Sequence, residues 1–451
     1  MKAVKKTLLA GIAATMGLLA ISPAASAELV PDGYNPDGLP TAGCFWTGPF
    51  TADNEKTNTA YPGTEITYWG AKFRTPEGAV LRLRGQYPHA RYSSLNAYES
   101  SGGTPTGSIP DRQIRPDKGS VNTSLPGKDR KAKKRSWTVG IVGTAAPEKP
   151  ARNTLYAAPS SESYQDILYR VYVPDKGRSR SGGVPIPTPE LLLPGGNILK
   201  GKALCAALNS NHYYKANNVP LGLYNSLVNW PGKDPLTNPA EPKFSFVKFF
   251  SLPLSLARYR TAAEFDAAWE ANPNEVGTLY ANNDARYMTG SFSTRFGKVL
   301  VLKGSMPTTP KTWNGNRRAK AAQLVEWDMC TVESPATTRT HRCLFDEQVP
   351  LKGKQRRYTI VVSKAEDRPW NAKRKCGVAW LPADPDGDGV GRTDSGLLLT
   401  RNVIPAASFK QAIQNVTSPY NAAEVMGRYY PRGTYSSKSG FQKLGCPKAG
   451  I

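Results

Sequence analysis

The sequence predicts an all-β protein with helical additions, built from two duplicated β-sandwich-like units. Short runs of β-branched and aromatic residues between Gly and Pro are typical of strands, and the chain lacks the regular strand–helix alternation of a parallel α/β sheet. The second observation is an internal repeat. Residues 59–88 align without a gap on residues 278–307, and eleven of the thirty positions are identical. This spacing is too long for a solenoid and indicates the duplication of one β unit of normal domain size.

Residues 1–27 have the features of a secretory signal peptide. Three lysines precede an apolar segment, Leu8 to Ile21, that is too short to span a membrane, and Ala25 to Ala27 forms a small-residue cleavage site. We therefore expect cleavage after Ala27, a secreted or periplasmic product, and no membrane span in the mature chain.

The first predicted β unit covers residues 28–195. Apolar and β-branched runs between turn residues predict its strands, which we expect at Val80 to Leu83, Tyr92 to Tyr98, Ser136 to Val142 and Ile167 to Val173. A helical insertion is expected at 196–276. Its first helix lies within Gly196 to Leu208, and its second starts at the capping box Thr261 to Glu264 and ends at Asn272-Pro273.

The second predicted unit, residues 277–405, repeats the order of the first. Three further blocks correspond: Asp346–Val349 to Asp111–Ile114, Arg357–Val362 to Ser136–Val142, and Val378–Leu381 to Ile167–Pro174. A helical tail is expected at 406–451. It begins at a capping box on Ser408 whose apolar face is Phe409, Ala412, Ile413 and Val416, and a short helix follows from Asn421.

The cysteine count predicts disulfides. An even number of cysteines in an exported chain indicates three bridges, and the candidates are Cys44, Cys205, Cys330, Cys343, Cys376 and Cys446. Fifteen connectivities are open. Cys330 with Cys343 is favoured because the two flank a hairpin-like segment, and a pairing of Cys44 with Cys446 is a further hypothesis.

The formal charge of +24 is concentrated in clusters of Lys and Arg. These clusters are Lys128 to Arg135, Arg178 with Arg180, Arg317 to Lys320, Lys352 to Arg357, and Arg368 to Lys375. An exported basic protein meets anionic envelope polymers, glycans or lipid head groups, and we do not expect nucleic acid as its partner. The alternative is a solvated basic surface without a specific partner.

One motif indicates a metal. Asp384, Asp386 and Asp388, followed by Gly389, match the opening of a calcium loop. The match is partial, because the twelfth position is Ser395 instead of Glu, with Asp394 just before it. The possible cofactor is therefore a structural calcium ion, and the alternative is an acidic surface turn.

Candidate ligand-binding residues follow the repeated strand. His89, Arg91 and Tyr92 stand where the second copy has Pro and Thr, and such divergence is where function is grafted on one copy. Asp111 and Asp346 occupy equivalent places in the two units and could form a paired-carboxylate site. The alternatives are an edge turn with Tyr92 packed inward, and carboxylates that hydrogen-bond their own turns.

Several of these segments resemble a group of exported bacterial β-rich proteins of unknown function: residues 78–98, 111–122, 167–177 and 377–389. The resemblance implies a bacterial, exported protein and brings no activity or catalytic residue. We predict a binding or envelope-associated protein for an anionic or amphipathic ligand. The alternative is a secreted hydrolase of an envelope or environmental polymer, with its site near His89, Asp111 and Asp346. A purely structural surface protein is the third hypothesis.

Overall fold

The structure, a computed structural model, describes residues 33–99, 103–159, 164–214, 218–229 and 243–446. The predicted signal peptide lies outside these residues. The described chain forms four β-sheets with short helices between strands, which confirms the predicted fold class. Within the same residues, no helix has the length and apolar character needed to cross a membrane.

Eleven strands precede the first described helix. They are β1 (Thr41–Ala42), β2 (Trp46–Phe50), β3 (Ile66–Phe73), β4 (Val80–Gln86), β5 (Ala90–Tyr98), β6 (Pro105–Pro110), β7 (Ser136–Val142), β8 (Thr154–Tyr156), β9 (Gln165–Pro174), β10 (Thr188–Leu192), and then β11 (Ile198–Leu199). The remaining strands are β12 (Val247–Lys248), β13 (Ala285–Ser293), β14 (Val299–Ser305), β15 (Leu324–Val332), β16 (Thr340–Phe345), β17 (Arg357–Ser363), β18 (Ala379–Pro382), β19 (Ser395–Pro405) and β20 (Arg432–Ser436).

The α-helices are short. They are α1 (Gly201–Ala207), α2 (Leu221–Val228), α3 (Leu252–Ala257), α4 (Ala262–Ala271), α5 (Ala422–Met426) and α6 (Lys438–Lys443). Single 3-10 turns occur at Asp346–Gln348, Arg374–Cys376, Ile413–Asn415 and Gly427–Tyr429.

The sheet topology confirms the duplication. The first unit has an inner sheet of order β1-β2-β3-β9-β5-β6 and an outer sheet of order β11-β10-β4-β7-β8. The second unit has an inner sheet β12-β13-β19-β15-β16 and an outer sheet β18-β17-β14-β20. Each strand from β3 to β10 therefore has a counterpart ten strands later, with the same neighbours. The aligned repeat places β4 on β14 residue by residue.

One predicted correspondence is wrong. Val378–Leu381 leads into β18, which pairs in parallel with β17 as β8 pairs with β7. Its counterpart is thus Thr154–Tyr156, whereas Ile167–Pro174 lies in β9, the counterpart of β19. A short apolar run that ends in Pro is common to several buried strands, so sequence alone matched the wrong pair. The acidic loop after β18 consequently does not correspond to the turn at Asp175.

The predicted helices have mixed outcomes. The capping box between Thr261 and Glu264 is confirmed at the start of α4. The helix expected within Gly196–Leu208 begins only at residue 201, because the chain first turns at Gly196, with φ +83°, and pairs β11 with β10.

The helix expected from Ser408 is absent. Its apolar residues are buried as predicted, but only a 3-10 turn forms, at Ile413–Asn415. The Asn402 side chain accepts the backbone N–H of Ile413, and the Gln414 amide donates to the Asn402 carbonyl. These bonds to β19 replace the bonds of a helix. The predicted helical tail also contains β20, which completes the second outer sheet.

Three hydrophobic layers separate the four sheets. In the first unit, Trp69 and Ile167 of the inner sheet share a core with Leu83 of the outer sheet. In the second unit, inner-sheet residues such as Met329 pack with outer-sheet residues such as Ile360. A third cluster joins the two inner sheets and includes Ile66, Tyr172, Ala285 and Val403. The inner sheets are therefore covered on both faces, whereas the outer sheets can face solvent.

Three disulfides form, and no described cysteine is free. The favoured pair Cys330–Cys343 is confirmed, because the two are cross-strand partners in β15 and β16. The hypothesis that Cys44 pairs with Cys446 is wrong. Cys44 pairs with Cys205, and Cys446 pairs with Cys376. The amide of Asn371 donates to the carbonyls of Phe441 and Gly445, which holds the C-terminal segment beside Cys376 and away from the first unit.

Candidate functional site

Arg91 and Asp346 are brought together by the fold, although they lie in different units. Their side chains are wholly buried and form an ion pair, and the same guanidinium also pairs with Glu347. Arg91 further donates to the hydroxyl of Thr312 at 3.1 Å. This arrangement connects β5 of the first unit to the 3-10 turn after β16 of the second.

The other predicted ligand residues have different partners. The Tyr92 hydroxyl donates to Asp284 at 2.7 Å. Asp111 accepts the backbone N–H of Ser93 at 2.8 Å, and burial raises the pKa of its carboxyl to about 6. In the described structure no hydrogen bond or ion pair joins Asp111 to Asp346.

His89 lies in a strongly basic setting. Its side chain is partly buried, and burial together with Arg135, Arg178 and Arg130 lowers the pKa of its imidazole to about 4. The ring is therefore neutral at pH 7.

Three of the four predicted calcium residues have side-chain partners from the protein, and the fourth, Asp386, is exposed. Asp384 accepts the backbone N–H of Asp386 and pairs with His341, and Asp394 pairs with Arg295. Asp388 is buried; it accepts two backbone N–H groups at 3.0 Å and the Tyr224 hydroxyl at 2.9 Å. Over the described ranges, no group of three or more His, Cys, Asp or Glu is arranged to hold a metal ion. Calcium binding stays a prediction.

Two substitutions separate a structural role of this loop from calcium binding. Asp388→Ala is expected to lower the free energy of unfolding by about 2–3 kcal/mol in chelator, because buried donors lose a charged acceptor. Asp386 is exposed, so Asp386→Ala should leave the free energy of unfolding in chelator unchanged. It should nevertheless abolish any rise in Tm that calcium produces. Thermal melts with calcium and with chelator measure both effects. A wild-type Tm that does not respond to calcium contradicts the ion site and favours the acidic turn.

Two of the predicted basic clusters lie against each other. The backbone N–H of Arg130 donates to the carbonyl of Arg317, and Arg317 pairs with Asp129 at 2.7 Å. Arg130 itself is buried and paired with Asp175. Part of the predicted basic surface is therefore structural. Its exposed members in the first cluster are Lys128, Lys131, Lys133 and Lys134.

A groove with a volume of about 940 Å³ lies on the outer sheet of the second unit. Its floor is the solvent face of β14, β17 and β20. Six cationic side chains line it, and no carboxylate does among the described residues: Lys303, Lys352, Lys354, Arg357, Arg428 and Arg432. We call this feature the basic groove. Tyr430 and Tyr435 are also part of the lining, but both pack against the core of the second unit, and Tyr430 is only 8% exposed.

Two of these cations face each other directly. Lys303 in β14 is the cross-strand partner of Arg432 in β20, and both side chains are exposed. Like charges at such a position destabilise a sheet. At the equivalent place in the first unit, Arg84 faces Thr188 and lies 3.8 Å from the carboxylate of Glu190. The second unit therefore has two facing cations where the first unit has a cation opposite a neutral threonine.

Sequence reasoning found only part of this groove. The cluster Lys352 to Arg357 was singled out, but Lys303, Arg428 and Arg432 are isolated in the sequence and were missed. The repeat carried a signal for one of them, because Lys303 aligns with Arg84.

A second feature lies between the two inner sheets, where the units make reciprocal contacts. Arg401 of the second unit donates to the Tyr61 carbonyl at 2.6 Å, and Arg170 of the first donates to the Tyr280 carbonyl. Arg170 and Arg401 are equivalent, since each faces a repeat tyrosine, Tyr68 in β3 and Tyr287 in β13. Contacts that are repeated in both directions are the mark of a twofold interface.

The backbone before each repeated strand is strained in the same way. Ala60 and Tyr61 have φ of 59° and 53°, and their counterparts Leu279 and Tyr280 have 56° and 54°. Side chains other than Gly rarely adopt this region. Each pair is held by the other unit, because the N–H of Tyr61 donates to Thr338 and that of Tyr280 to Gly103. The strain turns both tyrosine carbonyls towards the arginines.

No family model matches the chain, and no curated protein matches it significantly. Among solved structures, it is similar to an uncharacterized protein from Burkholderia cenocepacia, with 11% identity, a TM-score of 0.46, and coverage of 86% of this chain and 81% of that one. It is also similar to a protein from Vibrio parahaemolyticus, with 11% identity, a TM-score of 0.36, and coverage of 83% and 90%.

Proposed function

We propose that the protein is an exported binding protein for an anionic polysaccharide, which lies in the basic groove. The cross-strand pair of Lys303 and Arg432 carries the proposal. A like-charge pair costs stability in the free protein, and a polyanion that bridges the two cations removes that cost.

The shape and chemistry of the groove support a polymer. It is open along a sheet face, and its cations come from three strands and the adjoining loops, so successive acidic groups of one chain could each meet a cation. The predicted signal peptide would bring the protein to envelope and environmental polymers.

The test is a charge reversal with a matched control. Lys303→Glu, Arg357→Glu and Arg432→Glu change the groove, and Lys131→Glu, Lys133→Glu and Lys134→Glu make the same change in net charge on the exposed loop of the first unit. We expect the groove variant to bind polygalacturonate and heparin at least about tenfold more weakly, and the loop variant to change little. Calorimetric titration over a range of NaCl concentrations measures affinity and its salt dependence, with dextran as the neutral polymer.

Three outcomes contradict the proposal. These are no binding to either polyanion, equal losses in the two variants, or equal binding to dextran. Equal losses would indicate attraction to net charge alone. A preference for vesicles that contain phosphatidylglycerol over both polysaccharides would identify a lipid surface as the partner instead.

A further inference from the structure

A cavity of about 90 Å³ lies at the reciprocal contacts between the inner sheets and shares no lining residue with the basic groove. Its wall includes the equivalent arginines Arg170 and Arg401 and, from the segment between the units, Arg258. A neighbouring cleft of about 440 Å³ shares Tyr68 and Tyr280 with it. The two spaces adjoin through these rings.

Two of the three guanidinium groups have no carboxylate partner. Arg401 pairs with Asp328 at 2.6 Å. Arg170 donates only to oxygens of tyrosines, and its Nε is buried without a partner. Arg258 donates to the carbonyl and hydroxyl of Thr289 at 3.0 and 3.4 Å. Within the residues that the structure describes, neither Arg170 nor Arg258 forms an ion pair.

The surrounding tyrosines do not supply a counter-charge. Burial raises the pKa of Tyr287 to about 12, so this tyrosine is neutral at pH 7. The Asp284 carboxylate acts on Arg170 through space, but in the described structure the two side chains form no ion pair, and Asp284 accepts the Tyr92 hydroxyl. A buried charge without a counter-charge is costly, and Arg170 is only 2% exposed.

The rest of the lining combines apolar and polar groups. Leucines and an aromatic ring form one part of the cavity wall, namely Leu252, Leu279, Leu397, Leu399 and Phe249, and hydroxyl side chains such as Ser255 and Thr289 form another. The adjoining cleft has apolar walls at Leu39, Phe50 and Leu168, and the charged side chains of Asp37 and Lys56 are also in its lining. The cavity is smaller than the engineered space of about 150 Å³ that accepts benzene, so it has room for a head group but not for a long apolar body.

From this geometry we propose that the space between the inner sheets binds a medium-chain carboxylate. The carboxylate pairs with Arg170 and Arg258, and the alkyl chain passes Tyr68 and Tyr280 into the cleft. Charge and shape are then both satisfied, since the anion supplies the missing counter-charge and its chain covers the leucines.

The probe is octanoate, with octanol as the neutral analogue of the same length. We expect octanoate to raise Tm and to bind in calorimetric titration, and octanol to bind at least about tenfold more weakly. Arg258→Gln should weaken octanoate binding by a similar factor, whereas Arg260→Gln, two residues further on, should not. The groove variant Lys303→Glu, Arg357→Glu, Arg432→Glu should bind octanoate as the wild type does, so this proposal and that of polysaccharide binding fail independently.

Arg170→Gln is the second variant, but Arg170 also joins the two units, so its loss is expected to lower the stability of the protein as well. Arg258→Gln therefore decides the test, since it lies outside the repeated strands. Equal binding of octanoate and octanol overturns the proposal, and so does octanoate binding by Arg258→Gln at wild-type affinity. Absence of octanoate binding by the folded wild-type protein overturns it as well.

Discussion

Arg91→Met is expected to lower the free energy of unfolding by about 3–5 kcal/mol. The guanidinium of Arg91 is wholly buried and pairs with Asp346 and Glu347 of the other unit. Methionine keeps much of the volume, but it leaves Glu347 without its cation and Asp346 with only Lys311, at 3.8 Å. Removal of one partner from a buried ion pair is far more costly than loss of an exposed pair. Urea unfolding followed by far-UV circular dichroism measures the change.

Arg84→Met is the matched control. Arg84 is 62% exposed at its side chain and pairs with Glu190 at 3.8 Å, so its loss should cost less than about 1 kcal/mol. Adding Asp346→Asn and Glu347→Gln to Arg91→Met should recover part of the loss, because the uncompensated charges are then removed. A loss for Arg91→Met no larger than that for Arg84→Met would show that the ion pair does not hold the units together.

The repeat could be found from the sequence because identical residues make equivalent structural contacts in the two units. Tyr61 and Tyr280 present their carbonyls to the arginines of the opposite unit. Gly85 is covered by the ring of Trp137 and Gly304 by that of Tyr358, and a Cβ would lie 2.3 Å from the Trp137 ring at Gly85 and 2.9 Å from the Tyr358 ring at Gly304. Contacts that both units must make preserved these residues, so the duplicated fold was predictable.

The basic groove could not be predicted in full, because its defining pair depends on one strand pairing. Arg432 belongs to β20, whose sequence R-G-T-Y-S has little apolar alternation and was expected to lie in a helical tail. Only the antiparallel register with β14 places Arg432 opposite Lys303. Similarly, Arg130 looked like a member of a solvated basic loop. Its burial follows from the position of Asp175, which is distant in sequence.

The disulfide between Cys44 and Cys205 is expected to contribute more to stability than the one between Cys330 and Cys343. The first closes a loop with a sequence separation of 161 and the second a loop of 13. A longer loop restricts the unfolded chain more, and the chain-entropy relation gives about 5 kcal/mol for the first and about 3 kcal/mol for the second. Alanine replacement of both cysteines in each pair, followed by urea unfolding, measures the two losses.

The urea dependence of the free energy of unfolding provides a second test of this prediction. If the bridge acts on the unfolded chain, the variant without Cys44 and Cys205 unfolds to a more expanded state, and its free energy of unfolding should depend more steeply on urea concentration. The variant without Cys330 and Cys343 should show a smaller increase in this slope. Equal losses of stability, or a larger loss for the Cys330–Cys343 pair, would mean that packing of these buried cysteines between β15 and β16 outweighs the restriction of the unfolded chain.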